Sequence, residues 1–452
     1  MPKASRGIAR IVAALAALAA AGSAPSPAAA GMDYPTLARL IRERGVGSVA
    51  DAIALLPEEM RLNYTLMHHS RSIQQGSPEH PRVLLFGTDA RLIVTFNGSP
   101  DETNFDKLEI LHFDDATETF ELRSIEFGST VEFSQPNPEV CAACHKRSPQ
   151  PIWKDYGSPN APDSHGQWPG SYGTSHDVVP PELRPALLGF WAAAPQHPRY
   201  RHLLRDPESD LFPYQPSDRR FQWQHRFRPN NRLSRLIARL NARRVARALV
   251  QNELFQQRKS LVLSWLLECA EWQTDPGLSA EIRRLFAARF PEAEHAALYA
   301  DLRSVRPDDA FVIPFMIEKL FTGLDVYQWN MSIVTPPANR YHEGIQTIDQ
   351  MVAGRLLERL AAEDDALAPY YRPVSFAQAY GDPLYTKIEP GGAVAPGDLG
   401  SLYDRAGRYH DRELARQACG IVVPRARAEI ASASTVAATA IEPAADPALA
   451  AP

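Results

Sequence analysis

The chain has 452 residues, of which 44% are apolar and 22% are charged, and it contains 39 prolines and 25 glycines. This composition is ordinary for a globular protein and excludes a fibrous or wholly disordered one. The formal net charge of -5 shows no basic excess, so we expect no nucleic-acid partner. Four cysteines are too few for a disulfide-stapled scaffold of this length, which is typical of about two domains.

Residues 1–30 have the order of a secretory signal peptide. Basic residues precede an uninterrupted apolar stretch at 11–21, and small residues follow it up to Ala30. We expect cleavage before Gly31 and a soluble, periplasmic mature protein; a buried alanine-rich helix is the alternative. The apolar stretch is about half of the ~20 residues that a membrane-spanning helix needs, and no other segment approaches that length. No membrane span is therefore expected.

Residues 31–133 predict N-terminal helices followed by a β meander. Apolar positions between residues 34 and 60 recur at intervals of three and four, with a break at 45–47, which indicates two short helices. Segments rich in Val, Ile, Leu and Phe then alternate with turn residues, as in antiparallel strands. These segments are 82–86, 91–96, 107–113 and 119–127.

The rest of the chain divides into a loop region, a helical region and a tail. Residues 134–181 lack periodicity and are dense in Pro, Gly, His, Trp and Tyr, which is typical of an irregular functional loop region. Helical spacing dominates 182–430, and the Ala- and Pro-rich residues 431–452 predict a disordered tail. The helical segments expected are 182–193, 233–258, 260–271, 279–290 and 347–362. The fold class predicted is α+β, a small antiparallel meander with a larger helix-rich region.

The loop region contains the pattern C-x-x-C-H at Cys141, Cys144 and His145. In this pattern two thiols form thioether bonds to the haem vinyl groups and the adjacent histidine binds the iron. The spacing allows both cysteines to lie on one helical turn while the next side chain projects beneath the iron. The sequence therefore predicts one covalently bound haem c, with His145 as its proximal ligand.

Three other interpretations of the two cysteines remain open. A thioredoxin-like redox pair is expected inside a βαβ unit, which is not visible here. A zinc site would need two more ligands, and His165 and His176 are farther apart than the usual spacing. A disulfide between Cys141 and Cys144 would suit an oxidising compartment. Export favours haem, because haem of this kind is attached after translocation.

The sequence resembles the c-type cytochromes and, more narrowly, a group of uncharacterised exported bacterial proteins with one haem motif. In that group the motif is followed by Pro-x-Pro-Ile-Trp, a Tyr, and Trp-Pro-Gly-x-Tyr-Gly. The matching residues here are Pro149-Gln150-Pro151-Ile152-Trp153, then Tyr156, then Trp168-Pro169-Gly170-Ser171-Tyr172-Gly173. Lys146 departs from the group, in which many members have Gly. The resemblance covers roughly residues 60–175 and implies one covalent haem held by His145, with no established activity to carry over.

The sixth iron ligand and the walls of the haem pocket are predicted less directly. A distal methionine at the usual downstream spacing is absent, since the next methionine after the motif is Met316. The nearer candidates are Met67, His68, His69, His165 and His176. An open sixth position, able to bind oxygen, peroxide or nitric oxide, is the alternative. The candidate haem-wall residues, each of which could instead belong to a small hydrophobic cluster, are Trp153, Tyr156, Trp168 and Tyr172.

Two further features have open interpretations. Arginines recur every four residues at Arg235, Arg239, Arg243 and Arg247, opposite an apolar helix face. They could compensate haem propionates, dock an acidic partner, or form the solvated face of an amphipathic helix. The remaining cysteines, Cys269 and Cys419, could form one disulfide, although Cys269 could equally be a buried thiol.

We expect a monohaem c-type cytochrome that transfers electrons to a redox partner protein. A haem enzyme of peroxidase type, with an open sixth iron position, and a haem-based sensor or binding protein are the alternatives. About 100 residues suffice to hold one haem, so the chain is larger than a simple carrier requires.

Overall fold

A computed structural model describes residues 32–145 apart from 71 and 88, together with 170–172, 179, 181–204, 229–289, 348–374 and 409–436. The predicted signal peptide and most of the predicted tail lie outside these residues. Among the described residues, no helix has the length and apolar character needed to cross a membrane.

Side-chain caps begin the first two of the three N-terminal helices. They are α1 (Tyr34–Arg44), α2 (Val49–Leu55) and α3 (Glu58–Leu62). Asp33 caps α1 by accepting a hydrogen bond from the Thr36 amide at 2.8 Å, and Gly45 ends it in the left-handed conformation, with φ of 61°. Ser48 caps α2 in the same way through the Asp51 amide. The predicted break at residues 45–47 is therefore confirmed, and a third short turn of helix follows.

A six-stranded antiparallel sheet forms the centre of the molecule, with its strands in sequence order. The strands are β1 (Tyr64–Met67), β2 (Arg82–Phe86), β3 (Leu92–Phe96), β4 (Lys107–Asp114), β5 (Thr119–Phe127) and β6 (Val131–Phe133). The predicted meander is thus confirmed and gains a short strand at each edge. These two strands are brief, with four and three residues, and their alternation is too short to stand out in the sequence.

One short helix, α4, lies in the predicted loop region, and the helical region supplies most of the remaining elements. They are α4 (Glu139–His145), α5 (Arg184–Ala193), α6 (Pro229–Val250), α7 (Glu253–Gln256), α8 (Lys259–Leu266), α9 (Pro276–Arg289), α10 (Ile348–Glu363), α11 (Arg412–Gln417) and α12 (Cys419–Val436). Short 3-10 turns lie at Pro181–Leu183, Ala194–Gln196, Tyr200–His202, Ala270–Gln273 and Ala368–Tyr370, and β7 (Pro373–Val374) pairs with β8 (Tyr409–His410). The α+β class is confirmed, and α12 extends six residues into the predicted tail.

The two faces of the sheet bury different groups of helices. One face, including Leu85 and Ile110, packs against the N-terminal helices and against residues of the 181–204 segment. The opposite face, including Phe86 and Phe113, packs against the later helices, α6 onward. The 181–204 segment, which the sequence groups with the helical region, therefore shares its core with the N-terminal helices.

Candidate functional site

The C-x-x-C-H pattern lies in a single short helix, α4, at the end of the meander. Cys141 and Cys144 are three residues apart in this helix, close to one turn, and His145 is its last residue. The first turn closes with a hydrogen bond from the Cys141 amide to the Pro138 carbonyl at 2.8 Å. Cys141 and His145 are half-buried, whereas Val140, directly before Cys141, is 56% exposed. The helix therefore stands at the surface of the protein.

The segment between β6 and α4 remains bonded to β5. The Ser134 amide donates to the Ser124 carbonyl at 3.0 Å, and the Ser124 amide donates to the Ser134 hydroxyl at 2.8 Å. Further along, Asn137 exchanges two hydrogen bonds with Leu122. These contacts place the start of α4 at the β6 edge of the sheet.

This donor set fits a covalently bound haem c. Helical conformation brings both cysteine positions to one side of a single turn, and an imidazole follows directly at the end of the helix. None of the α4 side chains that the structure describes belongs to either sheet core, and Val140 is 56% exposed, so at these residues a flat group such as a porphyrin does not have to displace core side chains. Among the described residues, no group of three or more His, Cys, Asp or Glu side chains could hold a metal ion, and His165 and His176, the further zinc ligands considered above, lie outside those residues.

The far end of the loop region joins the opposite edge of the sheet. The Tyr172 amide donates to the Leu66 carbonyl at 2.8 Å, and the His69 amide donates to the Gly170 carbonyl at 3.2 Å. Between these two hydrogen bonds, Met67 and Ser171 form an antiparallel β-bridge. Residues 170–172 therefore pair with the end of β1.

Gly170 is required where the loop approaches β1. Its φ is 84°, and a Cβ atom there would lie 2.1 Å from the His69 carbonyl oxygen. The buried side chain of Asn230, at the start of α6, donates to the Tyr172 carbonyl at 3.2 Å. Gly170 and Tyr172 of the Trp-Pro-Gly-Ser-Tyr-Gly motif thus join the loop region to β1 and α6.

The three upstream ligand candidates have different environments. Met67 is 9% exposed and belongs to the core between the sheet and the later helices. The His68 ring packs on Tyr172 with centroids 5.0 Å apart, and burial, followed by the neighbouring His69, lowers the pKa of His68. His69 is exposed. Of the three, His68 therefore offers a partly buried imidazole whose pKa is lowered.

The sheet separates these candidates from the attachment helix. They lie at β1, whereas α4 follows β6, and four strands intervene. At about 4.8 Å per strand, the two edges are on the order of 24 Å apart along the sheet. In the sheet order, Met67, His68 and Tyr172 therefore lie at the β1 edge, whereas α4 and His145 follow the β6 edge.

Tyr172 is a core residue. It is 6% exposed, packs with the sheet and N-terminal helices, and donates from its hydroxyl to the Pro78 carbonyl at 3.3 Å. Burial, with a smaller effect of Glu79, raises its pKa. The other predicted wall and ligand residues lie outside the described residues. They are Trp153, Tyr156, Trp168, His165 and His176.

Two of the arginines that recur every four residues along α6 contact the β4–β5 hairpin. Arg243 pairs with Asp115 at 2.7 Å and with Glu118 at 3.2 Å, and Arg247 donates to the Ala116 carbonyl at 2.6 Å. Arg239 is buried. These three arginines are thus buried or bonded to the hairpin, which differs from the solvated helix face considered above. The side chain of Arg235 lies outside the described residues.

Sequence reasoning missed Ser134 and Asn137, the residues that tie α4 to the sheet. The available signal was the Pro136-Asn137-Pro138 run, a turn marker directly before the motif.

No protein-family model matches the chain, and neither the curated proteins nor the solved structures include a match.

Proposed function

We propose that this protein is an exported monohaem c-type cytochrome that transfers electrons. The observation that carries the proposal is the C-x-x-C-H pattern in one short helix, α4, at the exposed end of the meander. Cys141 and Cys144 would hold the haem by thioether bonds, and His145 would be an axial ligand. The haem, when bound, supplies a one-electron couple.

The role of the polypeptide is to hold these three residues on a rigid support. The hydrogen bonds from Ser134 and Asn137 to β5 join the helix to a strand that is paired along both sides. If haem is bound, a His145 side chain held in a fixed position would bind the iron in the same way in both oxidation states, which would favour rapid electron exchange.

Export is supported by a disulfide between Cys269 and Cys419. Disulfides persist in oxidising compartments and are rare in the cytosol, which agrees with a signal peptide at residues 1–30. The periplasm is also where haem of this type is attached.

A second candidate function is reversible binding or activation of a small haem ligand, as in an enzyme or a sensor. The strand order favours it, because the nearest upstream candidates for the sixth position, Met67, His68 and His69, follow β1, at the other end of the sheet order from α4. A five-coordinate iron would then bind carbon monoxide rapidly.

The test is haem staining after denaturing electrophoresis of protein matured in a haem-attaching host. Wild type should stain, Cys141→Ala and Cys144→Ala should lose most of the stain, and the double variant Cys269→Ala/Cys419→Ala should keep it. A colourless wild-type band from a host that matures other c-type cytochromes would refute the proposal.

Absorption spectra with and without carbon monoxide distinguish the two functions. Low-spin iron in both oxidation states with negligible carbon monoxide binding supports electron transfer. High-spin iron, fast carbon monoxide binding and peroxide-dependent oxidation of a reduced partner would support the enzyme instead.

A further inference from the structure

We propose that Asn137 is the positioning residue of the haem-attachment helix, fixing α4 to the sheet edge and thereby orienting His145. The inference rests on the proposed function, because the orientation of His145 matters only where it binds iron. Asn137 does not belong to the C-x-x-C-H pattern and is not one of the candidate iron ligands.

Asn137 uses its side chain to complete a strand-like pair with Leu122. The Asn137 amide donates to the Leu122 carbonyl at 2.8 Å, and the Leu122 amide donates to the Asn137 Oδ1 atom at 2.8 Å. The side-chain oxygen stands where the backbone carbonyl of a paired strand would be. Two reciprocal bonds define both the position and the direction of the chain at this point.

The flanking prolines explain why this contact depends on one residue. Pro136 and Pro138 have no backbone N–H, so Asn137 provides the only amide donor of the three. Its φ of 54° lies in the left-handed region, which asparagine tolerates better than most other residues. Asparagine therefore combines a tolerated backbone conformation with the acceptor that Leu122 needs.

The position of Asn137 couples the contact to the motif. Glu139, two residues later, begins α4, and Pro138 accepts the first-turn hydrogen bond from Cys141. The earlier anchor, Ser134, bonds to Ser124 and is separated from Asn137 by Gln135 and Pro136. Loss of the Asn137 contact therefore releases the chain immediately before the helix, while β6 stays in place.

The test compares three substitutions of Asn137 in the full-length, haem-matured protein. Asn137→Gly accepts the left-handed conformation but has no Oδ1 atom, Asn137→Ala lacks both properties, and Asn137→Asp retains the acceptor. The control is Asn252→Ala, which removes a similar hydrogen bond from the Phe255 amide, 3.0 Å long, at the start of α7.

Amide hydrogen exchange and the haem reduction potential are the two measurements. We expect the Leu122 amide, which loses its acceptor, to exchange about tenfold faster in Asn137→Gly and Asn137→Ala, the effect of losing one hydrogen bond. The Cys141 amide should also exchange faster, because the chain before α4 is released. The reduction potential and the low-temperature EPR g-values should shift in these two variants. Asn137→Asp should have the exchange rates and the reduction potential of the wild type. Asn252→Ala should also leave both quantities unchanged.

The outcomes separate this inference from the proposed function. Stained wild-type protein whose potential is unchanged in Asn137→Gly and Asn137→Ala would overturn the positioning role and leave the function standing. A wild-type protein without covalent haem would refute both the function and the role of Asn137 in orienting an iron ligand. In that case the exchange rates at Leu122 would still show whether the side chain anchors the helix.

Discussion

Arg243 of α6 binds Glu118 at the tip of the β4–β5 hairpin, with its Nε and Nη2 atoms 3.3 and 3.2 Å from Oε1. Arg359 of α10 donates to the other carboxylate oxygen of Glu118. Glu118 adopts a left-handed conformation, with φ of 48°, and its side chain is only 13% exposed. One carboxylate thus joins the sheet to two helices of the later layer.

We expect Glu118→Gln to lower the free energy of unfolding by about 1–3 kcal/mol, because it removes the charge that two partly buried guanidinium groups share. Urea unfolding monitored by circular dichroism measures the change. The control is Glu126→Gln, whose carboxylate is 56% exposed and pairs with Lys107 at 3.1 Å. An exposed pair contributes about 0–1 kcal/mol, so equal losses in the two variants would contradict the prediction.

We expect Gly98→Ala to be strongly destabilising. A Cβ atom at residue 98 would lie 2.2 Å from Cζ of Tyr200, a buried ring whose hydroxyl donates to the Pro81 carbonyl at 2.8 Å. Overpacking of this kind costs about 1–3 kcal/mol or more. Thermal unfolding tests it against Gly189→Ala in α5, where nothing lies within 4 Å of the added atom. That control should be neutral or stabilising, and similar melting temperatures for both variants would refute the prediction.

We expect stability to fall as the pH decreases below about 6.5, the ordinary histidine value. His197 Nε2 lies 3.0 Å from the Gly98 carbonyl, and its Nδ1 accepts from the amides of Arg199 and Tyr200. Burial is the main cause that lowers the pKa of His197, with smaller contributions from His80 and Arg199.

The sign follows from proton binding. Below pH 6.5 the unfolded chain takes up a proton that folded His197 still excludes, so acid favours unfolding until the lowered folded pKa is reached. Unfolding free energies at pH 7.5 and 5.0 should differ less in His197→Gln than in wild type. His69→Gln, at an exposed position, is the control, and an unchanged pH dependence in His197→Gln would exclude this contribution.

We expect reduction of the Cys269–Cys419 disulfide to destabilise the protein by about 2–5 kcal/mol, because the bond closes a long loop, with a sequence separation of 150 residues. Urea unfolding with and without dithiothreitol measures the effect. The double variant Cys269→Ala/Cys419→Ala should be equally destabilised and insensitive to the reductant. A wild-type midpoint that dithiothreitol does not move would count against a stabilising disulfide.

Local sequence pattern was sufficient for most of the secondary structure. The strands at 82–86 and 119–127 and the helix break at Gly45 follow from apolar alternation and glycine conformation, which act over a few residues. The helix at Glu139–His145, in contrast, lies in a region predicted to be irregular. The short strands β1 and β6 were not predicted, because pairing with distant residues defines them.

The sequence by itself determined the α+β class, the central meander and the chemistry that Cys141, Cys144 and His145 can offer. Only the tertiary structure decided which surfaces meet. It placed Met67 and His68 at the sheet edge opposite α4, turned Arg243 toward the β4–β5 hairpin, and paired Cys269 with Cys419. These relationships depend on strand order and on helices packing across the sheet, and contacts between residues far apart in the chain leave no periodic signal in the sequence.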